Sequence, residues 1–434
     1  MRIREVVVRT YNVLVFPGST EIGLEIHRAL SPCRDVRLYA AGTDPPGHAP
    51  FVFETHVAVS SVYESGWIED VNRVIEAYRI DYVFPAHDDV LVALVENATR
   101  IRARIVASPL RTCLITRSKS ETYRLLGGVL RVPRMYSKPE SVSTYPVFVK
   151  PDKGQGARNS GVAREQGELS QALKTDPGAL VLEYLPGDEY TVDCFSDRER
   201  GLLVCRGRKR VRIRNGISMN SVPVHDPKFA EWARTISESL VLHGAWFFQL
   251  KKDATGQYTL LEIAPRIAGT MALHRVSGIN FSLLSIYEQE RIPVEILCND
   301  TDVEIDRALT NRYRHDCKFT HVYVDLDDTL IRNGKINVRL MCFLYQCINA
   351  NTRITLITKS DRELETYLES YRLKQVFDEI IRLEPSSNKA DYVTDDQSIF
   401  IDDSYSERKA VHSARGICTY DCSMIEMLID ERAW

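Results

Sequence analysis

The chain has 434 residues, 44% hydrophobic and 26% charged, with a net charge of −3. That composition is globular, and the length allows roughly three domains. No global basic field argues for nucleic acid or an anionic membrane, so neither is expected as a partner.

Ten cysteines occur without a CxxC pair, several in apolar runs such as Val294-Glu295-Ile296-Leu297-Cys298. They read as small buried thiols in a reducing compartment. The start, MRIREVVVRTYNVLVFPG, breaks its apolar runs with charge. No later run approaches the roughly 18 apolar residues of a membrane span, and a cytoplasmic location is expected.

Residues 1–112 alternate strand and helix signals. Val13-Leu14-Val15-Phe16 leads through Pro17-Gly18-Ser19-Thr20 into a helix over Glu21 to Leu30, with Ser19 or Thr20 as N-cap. Gly18 reads as a turn former. A strand over Asp35 to Ala40, a helix over Trp67 to Tyr78 and the strand Tyr82-Val83-Phe84-Pro85 follow. The last runs into Ala86-His87-Asp88-Asp89, polar residues at the carboxyl edge where α/β sheets bind ligands.

A helix over Ser118 to Leu126 precedes Pro133 and Pro139. The strand Tyr145 to Lys150 then enters a loop with Gly154, Gly156 and Gly161. Its backbone N–H groups suit an anion, though the pattern also fits a mobile surface hairpin. Ala179 to Glu183 reads as a strand ending in free backbone groups near Tyr184 and Leu185, suited to a purine edge. Glu189, past the Pro186-Gly187 turn, suits ribose hydroxyls. Between Arg206 and Arg214, Arg alternates with Val and Ile. Arg208, Arg210 and Arg212 would then share a cationic face toward an anionic substrate, or simply solvate an edge strand.

Residues 245–268 read as a β-hairpin turning at Asp253-Ala254-Thr255-Gly256, which brings Gln249 nearly opposite Glu262. A carboxylate inside so apolar a strand suggests a divalent cation, and Arg266 beyond the strand end suits phosphate oxygens.

Lys119, Lys150, the 154–161 loop, the EYLPGDEYTVD segment and the QL…LLEIAPR hairpin together resemble the ATP-grasp superfamily over residues 10–300. The likeness is to its carbamoyl-phosphate-synthetase-like and carboxylate–amine ligase members. It implies a pre-ATP-grasp α/β domain over 1–112 and an ATP-grasp α+β domain over 113–300 with a lid near 145–200. Lys119, Lys150, Gly154 and Gly156 would contact ATP phosphates, Glu183 to Leu185 adenine, and Glu189 ribose. Gln249 and Glu262 would hold Mg²⁺, with Mn²⁺ as an alternative, and Arg266 would meet phosphate or acyl-phosphate. One departure is Ala264, where the family usually has Asn. One side-chain ligand for a second Mg²⁺ is missing, leaving either a water-completed site or an inactive relic.

Residues 301–316 are polar and read as a linker. Then His321-Val322-Tyr323-Val324-Asp325-Leu326-Asp327 puts two carboxylates at a strand end. They cannot both stay ionised without a cation or shared proton. Thr358 ends the strand from Ile354, Lys389 stands at a helix start, and Asp402-Asp403 ends the strand from Ser398. These four segments resemble the haloacid-dehalogenase (HAD) superfamily over 317–434. The likeness implies a Rossmannoid parallel sheet, Asp325 as nucleophile, Asp327 as general acid and base, and Thr358 and Lys389 on the phosphoryl group. Mg²⁺ would sit on Asp325, Asp327, Asp402 and Asp403. The spacings leave no room for an inserted cap domain.

The combined expectation is a bifunctional enzyme. One half joins a small carboxylate to an amine with ATP, and the other removes phosphate from a substrate or product. A kinase–phosphatase pair and a nucleotide sensor controlling the phosphatase are the alternatives. The substrates would be small molecules, some of them phosphorylated, and an oligomer is compatible with the pattern.

Overall fold

The structure is a computed structural model that describes residues 9–154, 159–299 and 301–433. The chain divides into two compact units, the boundary falling between Leu309 and Thr310.

The first unit opens on a parallel sheet of Tyr11–Phe16 (β1), Val36–Gly42 (β2), Thr55–Ala58 (β3), Tyr82–Pro85 (β4) and Arg104–Ile105 (β5), ordered β3-β2-β1-β4-β5. In β1, Val13 and Val15 pack with Ile22 and Ile26 of the helix Glu21–Leu30. Leu14 and Phe16 face the other way, onto Val71, Val74 and Ile75 of the helix Trp67–Tyr78. Successive side chains alternate between faces, and covering both is why β1 reads as a continuous apolar run. Thr20 Oγ1 accepts from the Gly23 amide at 2.9 Å and starts the first helix. After β4, the helix Asp88–Glu96 begins with two acids in its first turn.

Met135–Tyr136 (β6), Val147–Lys150 (β7), Gly161–Ala163 (β8) and Leu180–Glu183 (β9) make an antiparallel sheet ordered β6-β9-β7-β8. It ends at Glu183. The next strand, Glu189–Asp197 (β10), joins a larger sheet because Tyr190, Val192 and Cys194 face that sheet's apolar core.

The larger sheet adds Gly201–Arg214 (β11), Ile217–Val224 (β12), Gly244–Lys252 (β13), Tyr258–Ala264 (β14) and Ile305–Asp306 (β15), ordered β14-β13-β10-β11-β12-β15. Phe248, Leu250 and Leu260 pack with Phe229, Ala233 and Ile236 of the helix Pro227–Ser239. β15 falls inside the stretch expected to be linker. Ile305 and Asp306 pair with Ser221 and Asn220, satisfying the open backbone edge of β12.

The second unit holds His321–Val324 (β16), Ile331–Arg332 (β17), Lys335–Ile336 (β18), Arg353–Thr358 (β19), Glu379–Arg382 (β20), Ser398–Ile401 (β21) and Cys418–Tyr420 (β22). Five strands form a parallel sheet ordered β20-β19-β16-β21-β22, and β17–β18 is a separate hairpin. Val322, Val324, Ile354 and Leu356 pack with Leu340, Phe343 and Leu344 of the helix Val338–Asn349, while Tyr323, Ile357 and Phe400 pack with Val411 on the other face. Between Asp325 and Thr358 stand only that hairpin, that helix and β19. Among the described residues no helix is long and apolar enough to cross a membrane.

Candidate active sites

In the first unit the β13–β14 hairpin organises the site. Asp253 Oδ1 accepts from the amides of Thr255 (2.8 Å) and Gln257 (3.0 Å), and Gly256 takes φ +83°. From that turn the register runs to Leu250 opposite Leu260; a bulge then leaves Leu261 without a cross-strand partner and sets Gln249 opposite Glu262. The Leu261 carbonyl accepts from Tyr123 Oη at 2.7 Å and from Lys150 Nζ at 3.5 Å.

Lys150 ends β7, and Tyr123 lies in the helix Lys119–Leu126. Asp152 fixes that helix start, accepting from Ser118 Oγ (2.8 Å) and the Ser120 amide (2.7 Å). Lys119 Nζ donates to the Asp152 carbonyl at 3.4 Å. Burial, and then the Lys119 charge, lowers the Lys150 pKa to about 7 against the pull of Glu262. Two lysines and a carboxylate therefore act on one another at a single wall.

The hairpin pair extends across the sheet. Gln249 stands opposite Thr191, and Thr191 opposite Arg208. Glu262, Gln249, Thr191 and Arg208 thus make one transverse row over β14, β13, β10 and β11. All four line a cleft of about 1130 Å³, as do Gly154, Arg210 and Arg266. Arg266 is bidentate on Asp88, at 2.6 and 2.8 Å. Burial alone would raise Asp88; the Arg266 guanidinium holds it below the usual carboxylate value.

Several expectations need correcting. The arginine strand is not a bare cationic face. Arg208, 2% exposed, is bidentate on Asp193 at 2.7 and 3.2 Å. Arg210 holds Glu189 and donates to Gln249 Oε1 at 3.1 Å. A register shift between Arg210 and Arg212 accompanies the turn of Arg212 to solvent, where it meets Asp306 at 2.7 Å. The inward guanidiniums are matched because an unpaired buried charge is costly. The Glu189 carboxylate is therefore already engaged. That of Glu183 accepts from Arg131 and from the Arg134 amide. Lys119, Lys150, Glu183, Tyr184, Leu185 and Glu189 stand outside the cleft's lining, Lys119 lining instead a small pocket with Gly154, Glu262 and Arg266. Gly156 lies outside the described residues.

Glu262 and Gln249 offer the oxygen donors a hard cation such as Mg²⁺ prefers. Thr191 Oγ1, Arg208 Nη1 and Arg210 Nε are buried without a partner, which fits a site that a ligand completes. Tyr123, Asp152 and Thr191 escaped the sequence reading. Tyr and Asp in a helix or loop carry no spacing signal, and Thr191 reads as an ordinary strand residue.

In the second unit three parallel strands end side by side. Val324 pairs with Leu356 and Ile401, so Asp325, Thr358 and Asp402 all stand at one carboxyl edge. Asp325, Asp402 and Asp403 each bring a carboxylate oxygen within 4.8 Å of the others, a hard-oxygen set that suits Mg²⁺ or Mn²⁺. Lys389 Nζ donates to Asp325 at 2.6 Å and to Asp402 at 2.7 Å. Burial, assisted by Asp402, pushes the Asp325 pKa up to about 7 although Lys389 opposes it. Thr358 Oγ1 accepts from the Ser360 amide at 3.1 Å. Asp327, expected beside Asp325 on a cation, instead pairs with Arg362, whose guanidinium lies 4.6 Å from the Tyr367 ring centroid. Asp327 stands three residues past the end of β16, where the chain has left the extended backbone that would have kept it on the same face as Asp325.

Residues 175–305 match a family described as "ATP-grasp in the biosynthetic pathway with Ter operon". A comparison with curated proteins gives no match. Among solved structures, the chain resembles a biotin carboxylase–ATP-analogue complex from Campylobacter jejuni at 13% identity and TM-score 0.56, covering 66% of this chain and 72% of that one. An L-amino acid ligase from Bacillus licheniformis is similar at 17% identity and TM-score 0.53, covering 66% and 75%. An ADP complex of N5-carboxyaminoimidazole ribonucleotide synthetase is similar at 15% identity and TM-score 0.55, covering 67% and 79%. The matched segment lies wholly within the first unit, and that unit carries the ATP-grasp fold.

Proposed function

We propose that the first unit is an ATP-dependent ligase that joins a small carboxylate to an amine or similar nucleophile. The observation that carries this is the pairing of Gln249 with Glu262, whose pocket Lys119 also lines and whose neighbour Leu261 accepts from Lys150. The lysines would neutralise phosphate oxygens, and Glu262 and Gln249 would hold Mg²⁺. The ion supplies charge neutralisation on the transferred phosphoryl group. A carboxylate oxygen attacks the γ-phosphorus, releasing ADP. The nucleophile's nitrogen then attacks the acyl carbon, phosphate leaves with the C–O electron pair, and the ammonium proton goes to solvent. Asp88 holds Arg266 beside this region. Biotin carboxylase, L-amino acid ligase and the carboxyaminoimidazole synthetase are the named enzymes whose fold this unit shares, which supports the reading.

The second unit reads as a phosphatase, on a separate observation: the Asp325, Asp402 and Asp403 cluster with Lys389 between two of its carboxylates. Asp325 would attack phosphorus, the leaving oxygen would take a proton from Asp327, and water would hydrolyse the aspartyl phosphate. For this, Asp327 must part from Arg362.

With ATP and Mg²⁺, the protein should form ADP only when a carboxylate and an amine are both supplied. Glu262→Gln should lower that rate by roughly 100-fold or more and leave phosphate-ester hydrolysis intact. Asp325→Asn should lower ester hydrolysis by roughly 1000-fold or more and spare ADP formation. Loss of both activities in either variant would mean the two sites are not separate.

A further inference from the structure

The floor of the cleft leaves donors unused. Thr191 is 1% exposed and its hydroxyl has no partner; Arg208 commits Nε and Nη2 to Asp193 and leaves Nη1 buried and unpaired. They face each other across β10 and β11 and both line the cleft. A third donor comes from the far edge. The Arg307 amide donates to the Met219 carbonyl at 2.7 Å, pinning the residue after β15 beside β12. Its guanidinium reaches the Ser218 carbonyl at 3.4 Å and Glu21 at 3.1 Å, and also lines the cleft. Gly269 leaves it space: a Cβ there would stand 3.3 Å from Arg307 Nη2.

The sheet serves as a ruler. Strands lie about 4.8 Å apart, so Arg208 on β11 is roughly 14 Å from Glu262 on β14, and Arg307 lies farther still. A carboxylate undergoing phosphorylation belongs at the Glu262 end. Thr191 Oγ1 and Arg208 Nη1 lie beyond its reach, and a buried charged donor left unpaired is unfavourable.

We infer that Thr191, Arg208 and Arg307 bind a second anionic group of the ligase substrate, a carboxylate or phosphate several bonds from the carboxylate that reacts. This rests on the ligase reading for the identity of the bound molecule, not for the anion site itself. The substrate is then a dianion: a dicarboxylate, or a carboxylate that also carries a phosphate ester.

The test measures thermal stabilisation of the full chain, with Mg²⁺ and a non-hydrolysable ATP analogue, by adipate, L-glutamate, O-phosphoserine and butyrate. At least one dianion should bind about tenfold or more tightly than butyrate, and whether the dicarboxylates or O-phosphoserine lead identifies the second group. Arg208→Ala breaks a buried ion pair and is a poor probe. Thr191→Val is nearly isosteric and removes an unsatisfied hydroxyl, so the ligand-free protein should melt at the same temperature or higher. It should nonetheless bind the dianion about tenfold more weakly, as should Arg307→Gln, with butyrate binding unchanged. Equal binding of dianions and butyrate, or undiminished dianion binding in both variants, overturns the inference. Dianion binding that the variants weaken, with no ADP release for any carboxylate and amine, sinks the ligase reading and leaves the anion site standing.

Discussion

Lys150 sits where burial and the Lys119 charge both disfavour its own, and its pKa falls from 10.5 to about 7. Between these values the unfolded chain binds a proton that the folded protein does not. Stability contributed here therefore rises with pH from about 7 to 10.5, and the burial penalty is felt in full below about 7. Phosphate oxygens brought near Nζ favour the charged form. At about pH 8, binding a non-hydrolysable ATP analogue with Mg²⁺ should take up close to one proton, falling toward zero at about pH 6. Titration calorimetry in buffers of different ionisation enthalpy measures this number. Uptake near zero at pH 8 would place the nucleotide away from Lys150, and Lys150→Met should abolish the uptake while weakening binding.

At the scale of the element, β11 works on two faces. Arg208 and Arg210 point into the cleft, and Gly207, just before them, faces the helix Pro227–Ser239. A Cβ on Gly207 would meet the Phe229 ring at 2.2 Å and the Val224 carbonyl at 2.9 Å. Phe229 is itself packed against Tyr190 and Tyr258, with ring centroids 5.9 and 5.3 Å away. Gly207→Ala should cost about 1–3 kcal/mol through overpacking, seen as a lower urea midpoint at unchanged slope. An unchanged midpoint would show that Phe229 moves aside freely. The sequence exposes only part of this element. Alternating Arg with apolar residues announces a strand, but not that Asp193 and Glu189 on β10 match its charges, because cross-strand partners 15 and 21 residues away leave no local pattern. The β13–β14 hairpin was legible for a different reason. A short polar turn between two apolar runs brings Gln249 close to Glu262, although counting from the turn alone would set Gln249 opposite Leu261. The bulge at Leu261 was not legible, since one extra residue leaves the alternation of apolar side chains almost intact. It nevertheless delivers the carbonyl that holds Tyr123 and Lys150. Parallel sheets were easier still: runs such as Val13-Leu14-Val15-Phe16 and Ser398-Ile399-Phe400-Ile401 are apolar throughout because both faces are covered.

Over the whole molecule, the apolar clusters divide as the chain does. Those of the first unit draw on residues 11–298 and those of the second on residues 317–429. Each cluster set packs only on its own unit's sheets, so each unit has the packing needed to unfold cooperatively by itself. Ligand linkage gives a way to read them separately. A nucleotide that binds only the folded first unit stabilises that unit by about 2.7 kcal/mol at a free concentration 100 times its Kd. Scanning calorimetry should therefore show two transitions. Mg²⁺ with a non-hydrolysable ATP analogue should raise one by a few degrees and leave the other in place. Glu262→Gln should remove most of the rise, because the cation that accompanies the nucleotide loses a charged ligand, whereas Asp325→Asn should leave the rise unchanged. One transition that moves as a whole would mean that the two cores unfold together, and a rise that survives Glu262→Gln would locate the nucleotide somewhere other than the β13–β14 hairpin.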